Sequence, residues 1–231
     1  MVDQTEAEKL FMLLAHARVP LMKWGRGASK TFNDLLQEKL NGEAEIGMDW
    51  DGSLCRKIRV LLLDVLYHNV KQHKLYYLVE DRQILEGRNE TIHREKSCSV
   101  SEKLKTNENA DEASIARALK EELGIEGGVY FELTQVINEK RWSKNYPGLK
   151  TWSQNSRFTV FLSDDQYNPK GYVEHRDGIT TYFEWREYDP PLLDMITTKR
   201  REDKSQPVFN LSISFSSFRT HQYKCTFVEG R

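Results

Sequence analysis

The stretch Asn109 to Ile125, NADEASIARALKEELGI, reads as one short helix with a marked start and a marked stop. Asn109 is placed to cap the N-terminus, with Glu112 three residues on, as a capping box requires. Gly124 supplies the residue that ends the helix. Ile115, Leu119 and Leu123 recur every four residues and form an apolar stripe. Two adjacent carboxylates, Glu121 and Glu122, fall off that stripe near the end of the helix. They sit at the negative end of the helix dipole, where acids are not stabilised. A pair set against the local electrostatics points to a role other than stability, and holding a hard cation is a role that paired carboxylates suit.

On the N-terminal side, Lys57 to Tyr67 (KIRVLLLDVLY) is apolar and β-branched and predicts a central strand. LYYLVE, Leu75 to Glu80, predicts the next one after a polar turn. Gly87 to Asn109 is a long polar stretch, a length that inside a compact domain marks a functional loop or disorder. After the helix, strands are expected over Val129 to Ile137, Arg157 to Ser163 and Thr180 to Arg186, with a loop carrying WSKNYPGLKTW after the first. Residues 1 to 50 read as a helical extension, residues 51 to 198 as the main domain, and residues 199 to 231 as a charged linker followed by a strand in which Phe209, Leu211, Ile213 and Phe215 alternate with polar residues.

Arg117, Leu119, Glu121, Glu122, Gly124 and Ile125 together resemble the second half of the Nudix box, G-x5-E-x7-R-E-U-x-E-E-x-G-U, with U an aliphatic residue. The resemblance implies an α/β fold, an α/β/α sandwich on a mixed sheet. It also implies Mg2+ or Mn2+ held by Glu121 and Glu122 against a diphosphate. Arg117 and Gly124 would support that site, Arg117 by orienting a glutamate. The chain departs from the pattern at three places: Lys103 stands at the first glycine, Asn109 at the first glutamate with Glu108 beside it, and Ala118 at the glutamate after the arginine. One of three helix carboxylates is therefore missing.

A further oxygen is needed as base or ligand; it could come from a backbone carbonyl, from Glu108 or Glu112, or from a later strand or loop, where Glu174 and Glu184 are the candidates. Lys103 and Lys105 stand where a diphosphate would approach the helix, and a lysine serves phosphate as a point charge. Arg141, Trp142 and Lys144 combine a ring for stacking with cations for phosphate. The expected activity is Mg2+-dependent hydrolysis of a nucleoside diphosphate linked to another moiety, weakened by the degenerate box. The alternative is a non-catalytic Nudix-fold module that binds a nucleotide, a phosphorylated metabolite or a protein partner.

Composition narrows the field. The 231 residues are 30% charged and 39% hydrophobic with a net charge of −1, which suits a soluble domain and argues against broad attraction to nucleic acid or membrane. Cys55, Cys98 and Cys225 show no metal spacing and are odd in number, so a reducing compartment is expected. The acidic start MVDQTEAEK has no apolar signal core, which makes the cytoplasm the default location.

Overall fold

A computed structural model describes residues 4–87, 90–93, 98–176 and 178–188. The expected linker and strand over 199 to 231 lie outside them. The elements are α1 (Gln4–His16), a 3-10 turn at Leu21–Lys23, α2 (Phe32–Leu40), β1 (Glu45–Met48), β2 (Leu54–Asn69), β3 (Lys74–Leu85), β4 (Glu90–Ile92), β5 (Val100–Leu104), α3 (Glu112–Leu123), β6 (Tyr130–Trp142), β7 (Lys150–Leu162), β8 (Tyr172–Arg176) and β9 (Ile179–Glu187). All strands join one mixed sheet, whose main path runs β6-β7-β2-β3-β9-β8.

β2 organises this sheet. Along one side it runs parallel to β7, from Cys55 opposite Lys150 to Tyr67 opposite Leu162. Along the other it meets three antiparallel strands in succession, β1 over Leu54 to Lys57, β5 over Arg59 to Leu63 and β3 over Leu66 to Asn69. Ser99 bridges the place where β5 gives way to β3. Its N–H donates to Leu63 O, its hydroxyl donates to Leu78 O, and it accepts from Val65 N–H. Buried strand ends need such partners, because an unpaired backbone group in the core is costly.

Strand alternation assigns the two faces. Leu61, Leu63 and Val65 point to one side, where they form a core with Ile115, Ala118, Leu119 and Leu123 of α3. Arg56 and Lys103 point to the other, and both reach Glu38 of α2. Helices thus flank both faces of a mixed sheet, the α/β sandwich the resemblance implied. A second core gathers Leu10, Leu14, Trp24, Leu35 and Leu36 around Leu54, Tyr146 and Leu149. The 143–149 loop is tied in by backbone: Trp24 donates its indole N–H to Pro147 O at 2.9 Å, and Lys30 N–H donates to Asn145 O at 2.8 Å. At Gly148 (φ +83°) a Cβ would lie 2.2 Å from Pro20 Cδ, so only glycine fits against the N-terminal segment.

Several strands are longer than the pattern predicted. β2, β3 and β7 all extend beyond the predicted runs, and β6 continues through Trp142 rather than stopping at Ile137. The polar stretch after Gly87 contains β4 and β5 rather than one loop, and β8 was not foreseen. Polar residues such as Lys140 and Gln154 are accommodated because cross-strand pairing, not hydrophobicity, carries β6 and β7 past their apolar segments.

The carboxylate of Glu38 is buried, accepting from Lys30 Nζ and Lys103 Nζ at 2.9 Å each and from Arg56 Nε and Nη2 at 2.8 and 2.6 Å. Burial by itself pushes its pKa up; Lys30, Arg56 and Lys103 more than reverse this and hold it at about 2, against 4.5 for a free glutamate. A depressed carboxylate stabilises the fold fully above its unfolded pKa and ceases to do so as pH falls through its folded one. Acidification from about 4.5 to about 2 should therefore loosen α2 from the sheet, read as faster hydrogen exchange of α2 amides. Glu38→Gln should cost about 3–5 kcal/mol in urea unfolding, since it leaves the buried Arg56 guanidinium without its anion. A loss below about 1 kcal/mol would show that the cluster does not fasten the helix.

Candidate functional site

The helix that carries the carboxylate pair starts two residues later than its sequence suggested. Asp111, not Asn109, is the cap: its side chain accepts from Ser114 N–H, and Ser114 Oγ accepts from Asp111 N–H. Asp111 and Ser114 stand three apart, as Asn109 and Glu112 do, and the short Ser114 hydroxyl closes the box as well as a glutamate. Gly124 ends the helix in the left-handed conformation, φ 67°, as expected.

Arg117 is the hub of the site. Its guanidinium bonds both oxygens of Glu108 at 3.1 Å, Glu121 at 2.9 Å and Glu102 at 3.4 Å. Glu108 in turn accepts from Lys105 N–H at 2.8 Å, and its own carbonyl accepts from Arg59 at 2.6 Å. The loop before the helix is thus clamped to the helix and to β2. Asn109 occupies the register of the family's first glutamate, but Glu108 is the residue that pairs with the arginine. Burial works against the charge on Arg117; Glu108, Glu121 and Glu102 outweigh it and raise its pKa.

The two helix carboxylates differ. Glu121 is half exposed and bound to Arg117. Glu122 has a side chain only 11% exposed and faces Arg176 of β8 at 3.4 Å. Ala118 is fully buried among Leu61, Leu63, Leu104 and Leu119. The position of the absent carboxylate therefore belongs to the core and is not an open place beside Glu121 and Glu122.

Two residues that sequence reasoning did not single out complete this neighbourhood. Glu102 pairs with Leu61 across β5 and β2, so it points to the α3 side. Burial raises its pKa, and the pull of Arg117 and Arg176 only partly offsets this. The alternation within VSEKL could have placed Glu102 once the segment was read as a strand. Arg176 had no such signal, because its contact depends on where β8 packs.

The remaining candidates are dispersed. Glu174 lies two residues before Arg176 on β8, hence on the same face. Glu184 alternates with the core residue Phe183 on β9, so it faces the other side, where it pairs with Arg186 at 2.9 Å. Lys103 also faces away from α3. Its ammonium is held by Glu38 and Glu43, each at 2.9 Å, and not by anything near the carboxylate pair. Lys105 is exposed at the end of the clamped loop. Arg141 and Trp142 end β6, with Lys150 Nζ 5.5 Å from the Trp142 ring and Arg141 paired to Glu139; Lys144 lies in the following loop. Tyr146 of that loop is buried in the N-terminal core and is not free to stack on a ligand.

Mg2+ or Mn2+ would need several oxygens converging on one point. The residues present do not fit that need as they stand. Glu121 is engaged by Arg117, Glu122 meets Arg176, and Ala118 supplies no oxygen. Among the described residues, no group of three or more His, Cys, Asp or Glu side chains is arranged to hold a metal ion. No described helix is long and apolar enough to cross a membrane.

No protein-family profile and no curated protein matches the chain. Among solved structures it is similar to the NUDIX domain of NrtR from Shewanella oneidensis, crystallised with ADP ribose, at 12% identity and a TM-score of 0.37, over 64% of this chain and 89% of that one. It is similar to a MutT/nudix family protein from Enterococcus faecalis at 16% identity and a TM-score of 0.38, over 67% of this chain and 50% of that one. It is also similar to the Ap4A hydrolase of C. elegans at 11% identity and a TM-score of 0.34, over 63% and 89%.

The burial of Ala118 makes Ala118→Glu a test of the site. A carboxylate there should destabilise the protein by several kcal/mol in thermal or urea unfolding, because an ion is forced into an apolar core. It should not raise metal-dependent hydrolysis. A stable variant with new Mg2+-dependent turnover would show that the position opens to solvent after all.

Proposed function

We propose that this chain is a Nudix-type module that binds a phosphorylated or nucleotide ligand without metal-dependent hydrolysis. One observation carries the reading: Glu122, whose side chain is only 11% exposed, faces Arg176 of β8 at 3.4 Å. A guanidinium beside a carboxylate neutralises it and directs its oxygens, which is the service a divalent cation would otherwise perform. The buried Ala118 supports the same conclusion, since the third helix oxygen is replaced by packing.

What the box retains is its scaffold. The clamp from Arg117 to Glu108, the capped helix and its glycine stop keep the loop before α3 in one place. Lys105 on that loop and the largely exposed Arg176 offer cationic groups to an anionic ligand. In this reading phosphate is met by side-chain charge and not by a bridging metal. The cytoplasm is the location we propose, since three cysteines without metal spacing, Cys55, Cys98 and Cys225, suit a reducing compartment.

Calorimetry with ADP-ribose as the probe, with Mg2+ and then with EDTA, tests this directly. Saturable binding of the same affinity within about twofold in both conditions is expected, with the probe intact by phosphorus NMR. Arg176→Ala should weaken that binding roughly tenfold, the loss of one charge-assisted contact. Turnover that requires Mg2+ and collapses in Glu122→Gln would refute the proposal and restore the hydrolase reading.

A further inference from the structure

We infer that β6 is the interface of a symmetric dimer of this chain. Among the described residues the strand lies at the end of the sheet and pairs with β7 alone, leaving its other edge without a strand. Its other side presents a row of backbone donors and acceptors over the whole of Tyr130–Trp142, and a long open edge of this kind is a template for another strand. Apolar side chains along it are open to solvent: Leu133, Val136, Ile137 and Trp142 are 53%, 49%, 38% and 65% exposed.

The occupant is a second copy because the strand is complementary to itself. A bulge between Leu133 and Gln135 resets the alternation of β6. Phe131 and Leu133 pair with the core residues Val160 and Phe158, so they face α3. Beyond the bulge, Val136, Lys140 and Trp142 share that face, while Ile137 and Arg141 share the other with Glu132. An antiparallel pairing centred on Ile137, with Thr134 left out as the bulged residue, then puts every pair on a common face. Ile137 meets Ile137 of the second copy, Glu132 meets Arg141, Leu133 meets the aliphatic stem of Lys140, and Phe131 meets Trp142. Opposite charges and paired aromatics across strands each stabilise a ladder, and the two-fold axis provides each contact twice. Arg141 already touches Glu139 at 3.3 Å, but that pair is exposed and leaves the guanidinium able to turn toward Glu132. The register owes nothing to α3, so it stands or falls apart from the ligand-binding proposal.

Sedimentation equilibrium of the full chain should give twice the 27.1 kDa chain mass. Glu132→Arg or Arg141→Glu alone should weaken the dimer roughly tenfold, and the two together should restore it. Ile137→Lys, which sets like charges on the axis, should leave only monomer, with the circular dichroism spectrum unchanged because the side chain is exposed. A monomeric wild-type chain overturns the inference, and so does a dimer that survives Ile137→Lys or that the double exchange fails to restore.

Discussion

The buried carboxylate of Glu38 is the point on which two parts of the molecule depend. It joins α2 to β2 through Arg56 and to β5 through Lys103, and Lys30 seals it from solvent. Three cations around one anion would be unfavourable alone; Glu43 adds a second negative charge on Lys103 and offsets part of the excess. The cluster fixes the N-terminal helices against the sheet face opposite α3. It also decides the fate of a residue that sequence placed at the phosphate site. Lys103 and Glu102 are neighbours in the chain, yet strand alternation sends one to each cluster.

The arginines of the other face follow the same electrostatic logic. Arg117 gathers Glu108, Glu121 and Glu102, and Arg176 meets Glu122. Four acids and two guanidinium groups form a network whose geometry is set by α3, β5 and β8 together. Arginine suits this place because its planar fork holds two carboxylates in fixed directions, which an ammonium could not do. The loop before α3 owes its position to that fork.

Much of this was legible in the sequence. The apolar stripe of α3, its glycine stop and the central strand around Val60 to Val65 rest on periodicity and local conformation, which a single sequence carries. The capping residue was misplaced because Asn109/Glu112 and Asp111/Ser114 have the same spacing, and only packing decides between them. β5 was hidden because its exposed alternation, Ser101 and Lys103 against Val100 and Glu102, contains too few apolar residues to read as a strand. The site was the least legible part. Ala118 does stand one turn before the carboxylates, but packing with Leu61, Leu63 and Leu104 buries it, and no sequence pattern shows that. Arg176 comes from a strand distant in sequence, and no local pattern predicts such a meeting.

The central pairing also has a consequence for how the chain is made. β2 and β7 run parallel from Cys55 opposite Lys150 to Tyr67 opposite Leu162, although β3, β4, β5, α3 and β6 intervene between them in the chain. A non-local parallel pair closes only after a large loop has been ordered, and such contacts slow folding. During synthesis, β2 can meet β3 and β5 at once, but its second edge waits for the segment through Leu162 to leave the ribosome. For that interval the hydrophobic run Val60 to Val65 stands at an open sheet border, and the emerging chain is then most in need of a chaperone.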